Sequence, residues 1–187
     1  MAAPQGVPRP VLVAAIALAA LLAVGVAAIG LLTGAGAPPA GPDPQRVAAR
    51  RGPLPLPEEP AARARSAECA AVLGGLPQQL VVHGAPVPRR PLAGSTPGAV
   101  AWGDAQHDPT VVRCGLDRPA ELQPTSQLTD VSGVEWLARP GGGSTTWIVV
   151  DRPVHVALTV PDDAGTGPLQ DVSGVVSRTL PKKPVFG

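Results

Sequence analysis

Asp104, His107 and Asp108 fall within one short polar stretch, and they are the residues of this sequence best placed to do chemistry. A histidine with carboxylates at −3 and +1 has the makings of a divalent-metal ligand set or of a base oriented by a carboxylate. Asp151 and His155 form a second, looser pair, and His83 stands alone between Gly and Pro. The bland reading of the first group is a turn, since Asp108-Pro109 is a turn-forming pair and no second His lies at ligand spacing. Ser95 and Ser144 lack the G-x-S-x-G pattern of a nucleophile elbow. Gly141–Gly143 is glycine-rich but is followed by strand-like residues instead of a helix N-terminus, so it does not read as a phosphate cradle. No catalytic, metal or cofactor site is therefore expected, and a non-enzymatic reading is preferred over a hydrolytic or metal-dependent enzyme built on the Asp104/His107/Asp108 loop.

The elements that would position these residues are short. Ala61–Leu73 contains good helix formers, with Cys69, Val72, Leu73 and Leu76 at helical spacing and Gly74-Gly75 as a stop. Gln78–Pro97, interrupted by Pro86, Pro88 and Pro91, reads as an exposed connection with one short strand at Leu80–Val82. Ala99–Gly103 and Thr110–Leu116 read as a hairpin around Asp104–Pro109, followed by a strand at Val134–Ala138. Thr145–Val150 and Val154–Val160 flank Asp151-Arg152-Pro153 as a second hairpin, with Val154, Val156, Leu158 and Val160 on one face. Pro168 then opens a helix to Leu180 that turns Leu169, Val172, Val176 and Leu180 inward. The expected fold class is α+β: a small two-layer domain with an antiparallel sheet of about five strands and two flanking helices.

Cys69 and Cys114 are the two cysteines. Helical and strand periodicity place both on apolar faces, which makes a helix-to-sheet disulfide plausible; two unrelated buried thiols are the alternative. Trp102, Trp136 and Trp147 with Phe186 are the aromatics, and Trp102 and Trp136 share strand faces with apolar neighbours, as core residues do.

The chain has 187 residues, 44% of them hydrophobic, and a formal net charge of +1. That balance gives no electrostatic footprint for nucleic acid, which is excluded as a partner. The run Val11–Leu32 contains no charge and no proline, and about 20 such residues suffice to cross a bilayer. Secretory signals have apolar regions of roughly 7–15 residues, so an uncleaved signal anchor is expected before a secreted form. Arg9 precedes the run while Arg46, Arg50 and Arg51 follow it at a distance, which favours an inside N-terminus and an extracytoplasmic body. The expected organisation is a cytoplasmic stub at 1–10, a transmembrane helix at 11–32, a Pro/Gly/Ala-rich spacer at 33–60 and an extracytoplasmic domain at 61–187. At about 3.1 Å per residue the spacer reaches at most roughly 85 Å.

AVAWGD at Ala99–Asp104, VVRCG at Val111–Gly115, DVSGVEWL at Asp130–Leu137 and TTWIVVDRPVHVALTVP at Thr145–Pro161 occur in that order, followed by a PL…LP segment at Pro168–Pro181. This set resembles an uncharacterised family of actinobacterial envelope proteins, the domain of unknown function family 3515. The resemblance implies a membrane-anchored or secreted protein with a paired cysteine and no assigned activity; the chain departs from lipoprotein members in lacking an acylation cysteine. The functional expectation is a membrane-anchored binding or structural module of the cell envelope, with an envelope protein or a cell-wall component as partner.

Overall fold

The computed structural model describes residues 52–186, together with Arg50 and a few positions between Pro10 and Leu22. Most of the apolar run Val11–Leu32, and the first part of the spacer, lie outside the described residues. Among those described, no helix is long and apolar enough to cross a membrane. The chain divides into two compact units, Met1–Asp43 and Pro44–Gly187, and the second carries the fold that follows.

Eight strands build one antiparallel sheet: β1 (Gln79–Val82), β2 (Ala85–Arg90), β3 (Ala99–Trp102), β4 (Thr110–Leu116), β5 (Leu128–Val131), β6 (Val134–Gly141), β7 (Ser144–Val149) and β8 (His155–Pro161). Their spatial order is β1-β2-β3-β4-β8-β7-β6-β5. Two helices whose bounds lie within the described residues pack with it, α1 (Ala67–Gly75) and α2 (Gly167–Thr179). Helix α2 touches β6 and β8 as well as both edge strands, β1 and β5, so the sheet curls round it as half a barrel.

The expected five-strand, two-layer domain is thus corrected to an eight-stranded curled sheet. The expected strands correspond to β3, β4, β6, β7 and β8, and the short one at Leu80–Val82 to β1. Strand β2 was hidden by Pro86 and Pro88, which lack the N–H a central strand must donate. Here their ladder partners lie in β1, through Val81↔Pro86 and Gln79↔Pro88, whereas β3 meets β2 at Arg89 and Arg90 and, just past its end, the Gly103 amide donates to the Pro88 carbonyl. The proline half of β2 therefore needs no second ladder. Strand β5 is a short, half-exposed edge closed onto β6 by the two-residue turn Ser132-Gly133, with φ of 55° and 76°. That pair of positive φ values is the primed turn that matches strand twist.

Helix α1 begins at Ala67 and not at Ala61, because Ser66 caps it by accepting the Cys69 amide at 3.2 Å. At its other end Arg89 donates to the carbonyl of Leu76 at 2.7 Å and lies over the Trp102 ring, so a strand side chain satisfies the helix C-terminus. Helix α2 follows expectation: Pro168 occupies its first turn, and Leu169, Val172, Val176 and Leu180 are buried.

The main core lies between the sheet's inner face and the helices. Trp102 and Trp136 are fully buried in it; the Trp136 indole donates to Ser173 Oγ on α2 at 2.9 Å, and that of Trp102 to the Pro77 carbonyl at 3.1 Å. A smaller cluster of Leu122, Leu137 and Val150 lies on the other face, with Val185 of the C-terminal tail against it. The tail is fastened there, because the Lys183 amide donates to the Asp151 carbonyl and Lys182 stands 3.7 Å from the buried Asp151 carboxylate, itself paired with Arg152.

Candidate functional site

The loop between β3 and β4 brings together two of the three expected residues. Asp104 Oδ1 accepts the main-chain amides of Gln106 and His107, both at 2.8 Å, and its carboxylate meets His107 Nδ1 at 2.9 Å. A carboxylate only accepts, so Nδ1 carries the proton of that bond and Nε2 is turned away from it. Burial pushes the Asp104 carboxyl up, but the hydrogen bonds from the His107 ring and from the two amides, with the charge of the imidazolium form, outweigh it and hold the group below its ordinary value. Asp108 belongs to another interaction. It pairs with Arg50 at 2.6 Å, and the same guanidinium donates to the Gln106 carbonyl at 2.8 Å.

A residue the sequence did not connect to this loop lies against it. The His83 ring stacks on His107 with centroids 4.6 Å apart and planes inclined by 25°. His83 sits in the β1–β2 turn at φ 52°, and its Nε2 is 3.6 Å from Asp163. A metal ion bound by an imidazole lies in the plane of that ring, so two rings stacked face to face do not aim their nitrogens at a common ion. Among the described residues no group of three or more His, Cys, Asp or Glu is disposed to hold a metal. The arrangement ties the β1–β2 turn to the β3–β4 loop. Asp151 and His155 are engaged elsewhere, Asp151 with Arg152 and His155 through Nδ1 with the Val149 carbonyl at 2.9 Å. Ser144 donates to the Gly141 carbonyl within the two-residue turn formed by Gly142 and Gly143.

A concavity lies at the other end of β4. A groove of about 370 Å³ is walled by Leu56–Glu59 on one side, by Ser95–Pro97 on another and by Arg113 and Leu116 at its base. Cavities of this size hold small ligands or a few residues of peptide. One wall comes from the Pro-rich stretch that the sequence reading took for spacer. Leu54 forms a parallel bridge with Leu92, exchanging main-chain bonds with Pro91 and Ala93, both at 2.8 Å. Arg90 donates to the Gly52 carbonyl at 2.9 Å, and Arg113 donates to the Pro57 carbonyl at 2.7 Å while standing 3.4 Å from Glu59. Burial first, and the nearby Arg50 charge second, push the Arg90 guanidinium below its ordinary value. The signal for this segment was in the sequence: Leu54 and Leu56 alternate with Pro53, Pro55 and Pro57, and the leucines are half-buried while those prolines are exposed.

The chain matches the model of a family described as a protein of unknown function, DUF3515, over residues 14–185. It belongs to that family. No curated protein and no solved structure matches it. The match starts within the apolar run and ends in the C-terminal tail, so the DUF3515 pattern includes the Pro-rich stretch as well as the sheet. It agrees with the resemblance carried by the segments between Ala99 and Pro181.

The Asp104–His107 pair gives this DUF3515 chain a defined acid response. Because the Asp104 carboxyl is depressed in the fold, the unfolded chain binds its proton first. The contribution is present above the ordinary carboxylate value of about 3.9 and is lost as pH falls through the lower folded value. Asp104→Asn is expected to be less stable than the parent above pH about 4, with the two curves converging in more acid solution. Denaturant midpoints measured across that range check it; a constant offset would assign the loop's stability to other groups.

Proposed function

We propose that this chain is a non-catalytic binding module of the cell envelope, held at the membrane by the apolar run Val11–Leu32, with the sheet domain on the extracytoplasmic side. The observation that carries the reading is the Cys69–Cys114 disulfide. Both residues are buried, at 0% and 1% exposure, and their Cα atoms are 5.6 Å apart. A structural disulfide of this kind forms and persists in an oxidising compartment. The groove beside Arg113 supports binding over catalysis, since its lining mixes apolar residues such as Leu56 and Leu116 with polar ones such as Thr96 and Arg113 and lies apart from the Asp104–His107 pair in the sequence and on β4. Its expected ligand is a protein partner or a cell-wall component.

The test is photo-crosslinking in cells from positions Thr96 and Arg65 on the groove, with Thr129 on the exposed edge β5 as the control. Adducts from the groove positions that are absent at Thr129, together with thiols that resist alkylation until reductant is added, are the expected result. Free thiols in the native protein, or equal labelling at all three positions, would remove the reading.

A second reading, an envelope hydrolase or metal-dependent enzyme, rests on the bond that orients His107. His107→Ala separates the two: a binding module keeps its groove adducts, whereas an enzyme loses its cellular phenotype with that side chain.

A further inference from the structure

The Pro-rich segment in front of the domain is bound in a way that differs in kind from every strand beside it. A strand holds each neighbour through N–H groups at alternate residues; Pro53, Pro55 and Pro57 have none, so the segment can donate only on the side of Leu54 and Leu56. Among the described residues its backbone pairing is one two-bond bridge, at Leu54. Its further polar attachments among the described residues include carbonyls that accept from arginines, Gly52 from Arg90 and Pro57 from Arg113, with Glu59 against Arg113 and Arg50 on Asp108 and the Gln106 carbonyl. Extended proline-rich chain offers carbonyls and little else, so guanidinium donors on the sheet are the means by which it is held.

Immediately after this segment the attachment changes. The Arg63 amide donates to the Gly115 carbonyl at 3.1 Å, the Ala64 backbone is pressed against Gly115, and Cys69 is bonded covalently to β4. The chain is therefore locked from Arg63 onward and lightly held before it.

We propose that Gly52–Pro60 is a releasable strap. It detaches as a unit up to the Arg63 lock, removing one wall of the 370 Å³ groove and exposing the outer face of β4 around Arg113, while the disulfide-stapled domain stays folded. The strap lies between the apolar run and the domain, so tension on the N-terminal side acts on these bonds first. This device concerns the strap's own equilibrium and stands whether or not the groove's partner is the one proposed above.

Native-state amide hydrogen exchange on the full chain reads it directly. The Leu54 and Ala93 amides, which close the bridge, are expected to exchange at least 100-fold faster than the Cys114 amide, which donates to the Gly98 carbonyl within the locked body. Arg113→Ala is expected to speed Leu54 and Ala93 exchange by about tenfold and to leave Cys114 unchanged. Glu59→Gln, which keeps the fold's shape and the Pro57 contact, gives a smaller increase confined to the same two amides. Equal protection at Leu54 and Cys114, or a parallel loss at both in Arg113→Ala, would show that the segment opens only with global unfolding and would overturn the proposal.

Discussion

Gly115→Ala is expected to cost the domain a large part of its stability. Gly115 sits in a bulge of β4, where the register against β8 slips between Cys114↔Val156 and Leu116↔His155. Its φ is +87°, a conformation that costs an L-residue about 1–2 kcal/mol before any contact is considered. The larger cost is steric. A Cβ at this position falls within the backbone of Arg63 and Ala64, whose atoms cannot rotate aside as a side chain can. Moving that backbone would break the Arg63 amide bond to the Gly115 carbonyl and shift the turn that leads into α1 and Cys69. A loss of roughly 4 kcal/mol or more follows, out of a total of about 5–15 kcal/mol for a domain of this kind. Gly133→Ala supplies the comparison. Its φ is +76°, yet nothing lies within 4 Å of the added carbon, so only the conformational cost of about 1 kcal/mol applies. Urea midpoints of the two variants measure the difference, and similar values would mean that the chain at Arg63 is free to move away from β4.

The same glycine chemistry explains what could and could not be read from the sequence. The run Thr145–Val150 ending in four apolar residues, the alternation at Val154–Val160 and the amphipathic spacing of Pro168–Leu180 were decisive, because burying them leaves few other arrangements; these became β7, β8 and α2. The missed strands flank two-residue turns instead. His83-Gly84 joins β1 to β2 and Ser132-Gly133 joins β5 to β6, each with positive φ at both positions. An X-Gly dipeptide between apolar residues is a hairpin signal, but the prolines of β2 and the polar Thr129 and Asp130 of β5 masked it. Composition pointed to loops where pairing geometry required strands. In the candidate site, the Asp104–His107 bond was legible because it is local, three residues apart. The stacking of His83 and the clamp of Arg50 on Asp108 depend on strand order and on a tertiary path for the Pro-rich stretch, which no local pattern encodes. Leu-Pro alternation was the one visible hint that this stretch has an inner and an outer side.

Removing the Cys69–Cys114 bridge is expected to lower stability by about 4 kcal/mol, the chain-entropy value for a loop closed across 45 residues. The effect is large because of what the bridge joins. Cys69 lies in the first turn of α1, and Cys114 precedes the β4 bulge, so the bond fixes the helix to the centre of the sheet next to the place where Arg63 and Ala64 cross Gly115. Without it, the approach of these segments rests on the Ser66 cap, the Arg63 amide bond and burial of Val72 and its neighbours in the core. Cys69→Ala with Cys114→Ala tests the bridge without leaving a reactive thiol, and the comparison is made by denaturant unfolding of the oxidised parent. Reductant should act slowly on the native parent, since neither sulfur-bearing residue is exposed beyond 1%, and quickly once denaturant opens the domain. If the double variant unfolds at the parent's midpoint, the core alone specifies the docking of α1 on the sheet. The fold would then not depend on an oxidising compartment, and the extracytoplasmic placement proposed above would lose its main physical support.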